Sequence, residues 1–330
     1  MVGSKTRIEW VDAAKGIGIL MVMFGHNWLD WKYCYYFDSF HMPLFFILAG
    51  YTFSDRRAPF DFIKQKAKVL IIPYVLFVVC NLIFYGVLSH THGGDYDIGV
   101  EALAFLMQQR YTYLWFLPVL FLSELFVYVL NRTKLITNIK LGGVVLLILV
   151  LMHYLTIHTK CVNLIWNIDL VPMASTYIIL GILYKKVAVE WTFENNKWIA
   201  GLLFCFSLLV STINFVVWDR VDIWGNSYGC LLLFYLGAIT ATYAIVLLLK
   251  QISIPRMLVF LGVNSLLLYG LHRMAIEIFF IVWNKMGIPY DGISCLSLCM
   301  AICNVLLTCI LLYPIVSFIN RRCPWILGKF

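Results

Sequence analysis

The chain has 330 residues, of which 62% are hydrophobic and 13% charged, with a net charge of +8 and a mean hydropathy of +0.87. Soluble domains carry roughly 25% charged and 45–50% apolar residues, so a water-soluble fold hiding this much apolar surface is excluded and lipid is the missing solvent. The positive charge does not mark a nucleic-acid binder, because the lysines and arginines stand in short clusters between apolar runs, as membrane topology requires.

A helix needs roughly 20 mainly apolar residues to cross a bilayer. Taken in chain order, such runs predict ten spans, near residues 14–31, 37–53, 68–89, 113–130, 141–158, 168–184, 198–217, 227–249, 257–283 and 294–319. The first follows Lys5 and Arg7 as a secretory leader would. It ends in Gly-His-Asn-Trp-Leu-Asp without a small-x-small cleavage site, and is read as a retained helix. The longest connection, 90–112, contains Gly-Gly-Asp-Tyr-Asp and has room for a short helix. Repeats, low-complexity tracts and linkers are lacking, so residues 1–330 are expected to form one transmembrane domain. The ten cysteines include no C-x-x-C pair, and Cys80, Cys205, Cys230, Cys299, Cys303 and Cys309 lie in apolar runs, where a thiol acts as a small hydrophobe. Neither a metal site nor a disulfide framework is expected.

Counting alternate loops from a cytoplasmic N-terminus puts 19 of the 25 basic residues on the inner side and 5 on the outer, with Arg273 inside a span. The positive-inside rule then makes both termini cytoplasmic. The expected fold class is an all-α polytopic membrane protein, a bundle of about ten transmembrane helices.

Ionisable groups inside spans are costly, and each is a candidate for function. The first helix carries Asp12, Lys15 and His26. Lys15 and His26 are eleven residues apart, about three turns plus roughly 20°, so they share a face at a separation of about 16 Å along the axis. Asp12 falls on nearly the same stripe. Lys15 sits at the cytoplasmic end, where a snorkelling lysine is equally expected, and His26 lies in the outer half, where an interhelical hydrogen bond is the plainer use. His41 opens the second span and His272 lies deep in the ninth, so three histidines on three helices share one depth. Arg273 and Glu277 stand at i and i+4 and are placed to pair. Glu124 and Asp169 are further candidates without an assigned role. Gly16, Gly18 and Gly25 allow neighbouring helices to approach the first span closely.

These residues carry a likeness. Arg7-Ile-Glu-Trp-Val-Asp12-Ala-Ala-Lys15-Gly-Ile-Gly followed by Gly25-His26 resembles the opening of acyltransferase family three of membrane proteins, its fucose 4-O-acetylase-like branch above all. Lys15 stands where many members carry Arg, and so supplies a point charge in place of a planar fork. Phe40-His41-Met-Pro-Leu-Phe-Phe-Ile-Leu-Ala-Gly50-Tyr51 with Arg56-Arg57 resembles the second-span motif, and Tyr113-Leu-Trp115-Phe-Leu-Pro118 the fourth-span one. Phe260-Leu-Gly262-Val-Asn264-Ser265-Leu-Leu-Leu-Tyr269-Gly-Leu-His272 resembles the late motif. The likeness extends from residue 7 to about residue 272.

The resemblance implies an enzyme that moves an acyl group, usually acetyl from acetyl-CoA, onto a hydroxyl of a sugar or lipid-linked glycan, with no resident cofactor or metal. It assigns His26 as catalytic base or acyl carrier and Lys15, with Arg56 and Arg57, to the donor's phosphates. Asp12, His41, Trp115, Asn264, Ser265, His272, Arg273 and Glu277 are expected to shape or support the acceptor site. The implied partners are acetyl-CoA, the glycan acceptor and the bilayer, in a bacterial cytoplasmic membrane. A transporter of lipid-linked sugar or small solute, with the same polar residues lining a pathway, is the alternative from another class, although the chain lacks repeated halves.

Overall fold

The computed structural model describes residues 7–92, 96–108, 112–160, 162–187 and 197–328. Its helices are α1 (Glu9–Gly25), α2 (Trp31–Asp38), α3 (His41–Tyr51), α4 (Pro59–Lys66), α5 (Ile72–His92), α6 (Ile98–Met107) and α7 (Phe116–Arg132). They continue as α8 (Ile139–His158), α9 (Val171–Val187), α10 (Lys197–Val217), α11 (Leu231–Leu249), α12 (Arg256–Val263), α13 (Ser265–Lys285) and α14 (Cys295–Arg322). Among the described residues, eight helical stretches are long and apolar enough to cross a membrane, and they fall on the last eight predicted spans. The chain is an all-α polytopic membrane protein.

The two earliest predicted spans take another form. The apolar run 14–31 is helical only to Gly25, after which the backbone leaves the helix, and Trp28 takes φ +56°. The run 37–53 begins at the end of α2, turns at Ser39, whose hydroxyl donates to the Tyr36 carbonyl, and restarts as the eleven-residue α3. The ninth span, 257–283, is likewise interrupted at Asn264, between α12 and α13. A hydropathy window averages over such breaks. Side-chain hydrogen bonds to the preceding turn, such as Asn264 Nδ2 to Phe260 O at 2.8 Å, help to cap them.

By its internal contacts the chain divides into two units, each assembled from separate stretches of sequence. The first comprises 1–48, 184–223 and 227–313, hence α1, α2, the start of α3, α10 to α13 and most of α14. Its tightest crossing joins α1 to α12. A Cβ on Gly16 would lie 2.2 Å from the Leu258 carbonyl oxygen, and one on Gly262 would lie 1.5 Å from that of Asp12. Only glycine at both places lets the two backbones touch, which is how membrane helices associate without a hydrophobic drive between them. Gly18 receives the Phe45 ring and Gly25 the Asp38 carboxylate, so all three glycines of α1 that the sequence singles out admit neighbours. α2 is tied to α10 by hydroxyl pairs, Tyr36 with Ser207 at 2.7 Å and Ser39 with Ser211 at 3.1 Å.

The second unit comprises 49–183, 224–226 and 314–330. α4 and α5 run on through a π-helical turn, Ala67–Ile71, as one stretch from Pro59 to Thr91. Buried Glu124 on α7 accepts a hydrogen bond from Lys66, which gives that mid-span carboxylate a structural partner. The predicted room for a helix in 90–112 is filled by α6. Asp97 caps it, and it ends in buried, left-handed Gln108, which donates to the Tyr74 hydroxyl at 2.9 Å. Near the start of α9, the Asp169 carboxylate accepts the Leu164 N–H at 3.3 Å.

Candidate active site

α1 delivers His26 as its C-terminal cap, one residue past its last turn. α13 delivers His272 from its second turn, fully buried. The two imidazoles meet, with His272 Nε2 3.0 Å from His26 Nδ1. The other ring nitrogen of His272, Nδ1, lies 2.8 Å from the Tyr269 carbonyl and 3.1 Å from that of Leu268. Carbonyls only accept, so His272 Nδ1 carries a hydrogen and, in the neutral ring, Nε2 carries the lone pair. His26 must then donate from Nδ1, which leaves its own lone pair on Nε2. The tautomer is assigned from the hydrogen-bond pattern, and that pattern permits one neutral arrangement.

The backbone beside His26 is held as firmly. Arg273 Nη1 donates to the His26 carbonyl at 3.0 Å, and its guanidinium lies over the Trp28 ring, 4.2 Å from the centroid. The guanidinium that the sequence pairs with Glu277 thus gives one donor and its face to the segment that carries His26. A left-handed conformation costs an ordinary residue about 1–2 kcal/mol. At Trp28 this cost is offset by the guanidinium stack and by contact of its carbonyl with Gly292.

His41, the first residue of α3, donates from Nδ1 to the Phe37 carbonyl at 2.7 Å and stands 3.8 Å from the Asp38 carboxylate. That carboxylate packs on Gly25, the residue before His26, so His41 is linked to the end of α1 through Asp38. The three histidines placed at one depth by helical rise thus belong to one cluster. Asp38 joins it through its packing on Gly25. It lies inside the predicted span 37–53, so the rule that selects His26 as an ionisable group in a span selects it too.

The remaining expected residues are distributed as follows. Asp12 is buried on α1, its carboxylate 3.8 Å from Arg7 Nε. Lys15 is half-buried one turn further on. Asn264 is buried at the α12–α13 break and Ser265 begins α13. Glu277 is half-buried on α13. Trp115, Arg56 and Arg57 belong to the second unit. Trp115 is buried in the turn that opens α7. Arg56 and Arg57 are exposed on the segment between α3 and α4, which Tyr128 and Asn131 hold by donating to the Arg57 carbonyl (2.9 Å) and the Asp55 carboxylate (2.8 Å).

A second group of polar residues around His26 is not singled out by the sequence: Asn27, Trp283, Tyr290 and Asn304. Asn27 and Asn304 are fully buried and hydrogen-bonded to each other at 2.9 Å. Asn304 stands well inside the tenth predicted span, where a neutral amide draws less notice than a charge, although it too must find a partner in lipid.

A hydrogen-bonded imidazole pair of fixed tautomer, enclosed in a polytopic helical bundle, is an arrangement suited to acid–base or nucleophilic chemistry. The family model described as an acyltransferase domain, acyltransferase family three, matches residues 8–319, and the chain belongs to that family. The match runs through segments of both units. Comparison with curated proteins and with solved structures finds no match in either set.

Proposed function

We propose that this membrane acyltransferase is an O-acetyltransferase of the fucose 4-O-acetylase-like kind, which takes acetyl from cytoplasmic acetyl-CoA and places it on a hydroxyl of a sugar or lipid-linked glycan. The observation that carries this reading is the His26 Nδ1–His272 Nε2 hydrogen bond. It turns the His26 lone pair onto Nε2, where a hydroxyl can be deprotonated. In the reaction the acceptor oxygen attacks the thioester carbonyl as its proton passes to His26 Nε2. The carbon–sulfur bond then breaks, and the imidazolium returns that proton to the leaving thiolate. Acyl, proton and electron pairs balance without a further reactant. An imidazole suits both transfers because its ordinary pKa lies near neutrality.

Lys15, about 16 Å of helical rise from His26, is the group on α1 suited to the donor's phosphates, at a distance comparable with an extended pantetheine arm. Arg56 and Arg57, both exposed, also belong to the cytoplasmic side by the positive-inside rule. A bacterial cytoplasmic membrane is the expected setting.

The test is incubation of the purified protein with labelled acetyl-CoA and a panel of free and lipid-linked sugars. His26→Ala should lose about 10²- to 10⁴-fold in rate, the usual worth of a general base, while remaining folded and binding CoA. Lys15→Ala should weaken CoA more than pantetheine, which lacks the nucleotide phosphates. Near-full transfer by folded His26→Ala would sink the assignment of the base. Equal losses for CoA and pantetheine would remove Lys15 from the phosphates.

A further inference from the structure

We infer that Asn304, on α14, is a positioning residue for His26, acting through Asn27 along a hydrogen-bond chain with only one possible direction. This rests on the reading of His26 as the base. The chain begins at the Trp283 indole, whose Nε1–H can only donate, and which gives its hydrogen to Asn304 Oδ1 at 2.8 Å. That fixes the Asn304 amide, so its Nδ2 donates to Asn27 Oδ1 at 2.9 Å. Asn27 Nδ2 then donates to the Met23 carbonyl at 2.7 Å, and a carbonyl can only accept. A donor-only group at one end and an acceptor-only group at the other leave neither amide free to turn over.

The need for such a chain follows from where α1 ends. His26 is past the last helical turn, with φ −88° and ψ 12°, so helix geometry alone does not aim its ring. The next residues are instead pinned from three sides. Arg273 on α13 holds the His26 carbonyl, Tyr290 donates to the Asn27 carbonyl, and Asp30 N–H donates to the Gly292 carbonyl at 2.9 Å. α14 enters through its hydrogen bond to the Asn27 side chain and through Ala301, which packs with Leu29. The Asn27 amide closes back on the last turn of α1, so its orientation and the exit of the chain into His26 are set together. Both amides are completely buried, where an unsatisfied polar group is costly, and a rotated amide would leave two groups unsatisfied.

Asn304 therefore touches no reacting atom, and its loss should appear in the step His26 performs. Misplacement of a catalytic group by an ångström costs up to about 10²-fold. Asn304→Leu should accordingly lower kcat for CoA release from acetyl-CoA by between about ten- and a hundredfold. The acceptor is the one on which the wild type turns over fastest, water included. KM for acetyl-CoA and the affinity for CoA should stay within about twofold of wild type. Asn304→Asp, which turns an acceptor toward Asn27 Oδ1, should do the same. Trp283→Phe, which removes the anchoring N–H and part of the ring but leaves both amides in place, provides a milder version should the Asn304 variants fail to fold. The deciding arm adds the same change to His26→Ala. A residue that acts only through His26 has nothing left to position there, so Asn304→Leu (or Trp283→Phe) should not lower the residual rate further. A purely structural role predicts the same fractional loss in both backgrounds, and that result overturns the proposal. So does a wild-type kcat in folded Asn304→Leu. Full activity of His26→Ala itself would instead strike the reading of His26 as the base, an outcome distinct from either.

Discussion

At the scale of single residues the site is a matter of which nitrogen holds which hydrogen. His272 has both ring nitrogens committed, one to the carbonyls of its own helix and one to His26. Its expected contribution is to fix the tautomer of its neighbour. A glutamine in its place keeps an acceptor for the His26 N–H, whereas leucine keeps none. His272→Gln should therefore retain more transfer activity than His272→Leu at equal folded yield, measured with labelled acetyl-CoA. Equal loss in the two variants would reduce His272 to packing. Much of this was legible beforehand. The rise of an α-helix is enough to place His26, His41 and His272 at one depth. That His26 and His272 touch was not legible, because the contact joins residues separated by 246 positions and depends on how α1 and α13 lie side by side. For Arg273 the i, i+4 spacing with Glu277 is visible in the sequence, but its contacts with a carbonyl and an indole face at the end of α1 are not, because no local spacing reveals them.

At the scale of the helix the governing contact is the crossing of α1 and α12 at Gly16 and Gly262. Gly16 could be selected in the sequence as a small residue on a polar helix. Gly262 was visible only as part of a motif, since nothing local says which backbone will lie against it. The chemistry of α1 depends on this approach, because the Asp12–Gly16 segment and the end that carries His26 belong to one helix. Gly262→Val forces side-chain atoms into the Asp12 carbonyl, and overpacking of this kind costs about 1–3 kcal/mol, occasionally more. The variant should melt at lower temperature in detergent than Gly143→Val on α8, where an added Cβ meets nothing within 4 Å. Indistinguishable melting of the two would deny the crossing. Helix ends, by contrast, were poorly legible. Asn27 and Ser39 each bond back to a preceding carbonyl, and both lie where hydropathy alone continues or opens a span.

At the scale of the whole molecule, composition decides the solvent, and the family match decides the class of reaction. Orientation in the membrane rests on the asymmetry of 19 basic residues against 5. That asymmetry predicts that reporter fusions at Asp95 and Lys160 read external and a fusion at Glu194 internal. Asp95 and Glu194 lie outside the described residues. An internal signal at Asp95 would invert the sidedness assigned to Lys15 and His26 and with it the route proposed for the donor. The count of ten crossings belongs to the same experiment. Among the described residues, eight helical stretches meet the length of a span unaided, while α1 has 17 residues and α3 has 11. A helix of α1's length, about 26 Å, nearly reaches through a bilayer where protein surrounds its ends and satisfies the backbone there, whereas the roughly 16 Å of α3 needs further chain to complete a crossing. The Arg273, Tyr290 and Gly292 contacts to residues 26–30 are of that kind.

The imidazole pair ends on peptide carbonyls, and this has a consequence for proton traffic. A relay ending in a carboxylate or in solvent can pass a proton onward. One ending at the Leu268 and Tyr269 oxygens is a cul-de-sac, since an amide oxygen accepts a hydrogen bond but not the proton itself at physiological pH. For a base at His26, the hydrogen taken from the acceptor therefore has to leave through the nitrogen that received it. The dyad then behaves as a store for one proton during each turnover, not as a wire to the bulk. Where transfer is the slow step, its rate should fall linearly with the deuterium fraction of the solvent. A bowed dependence would reveal a second hydrogen in flight, such as the His26 Nδ1 hydrogen moving to His272 Nε2.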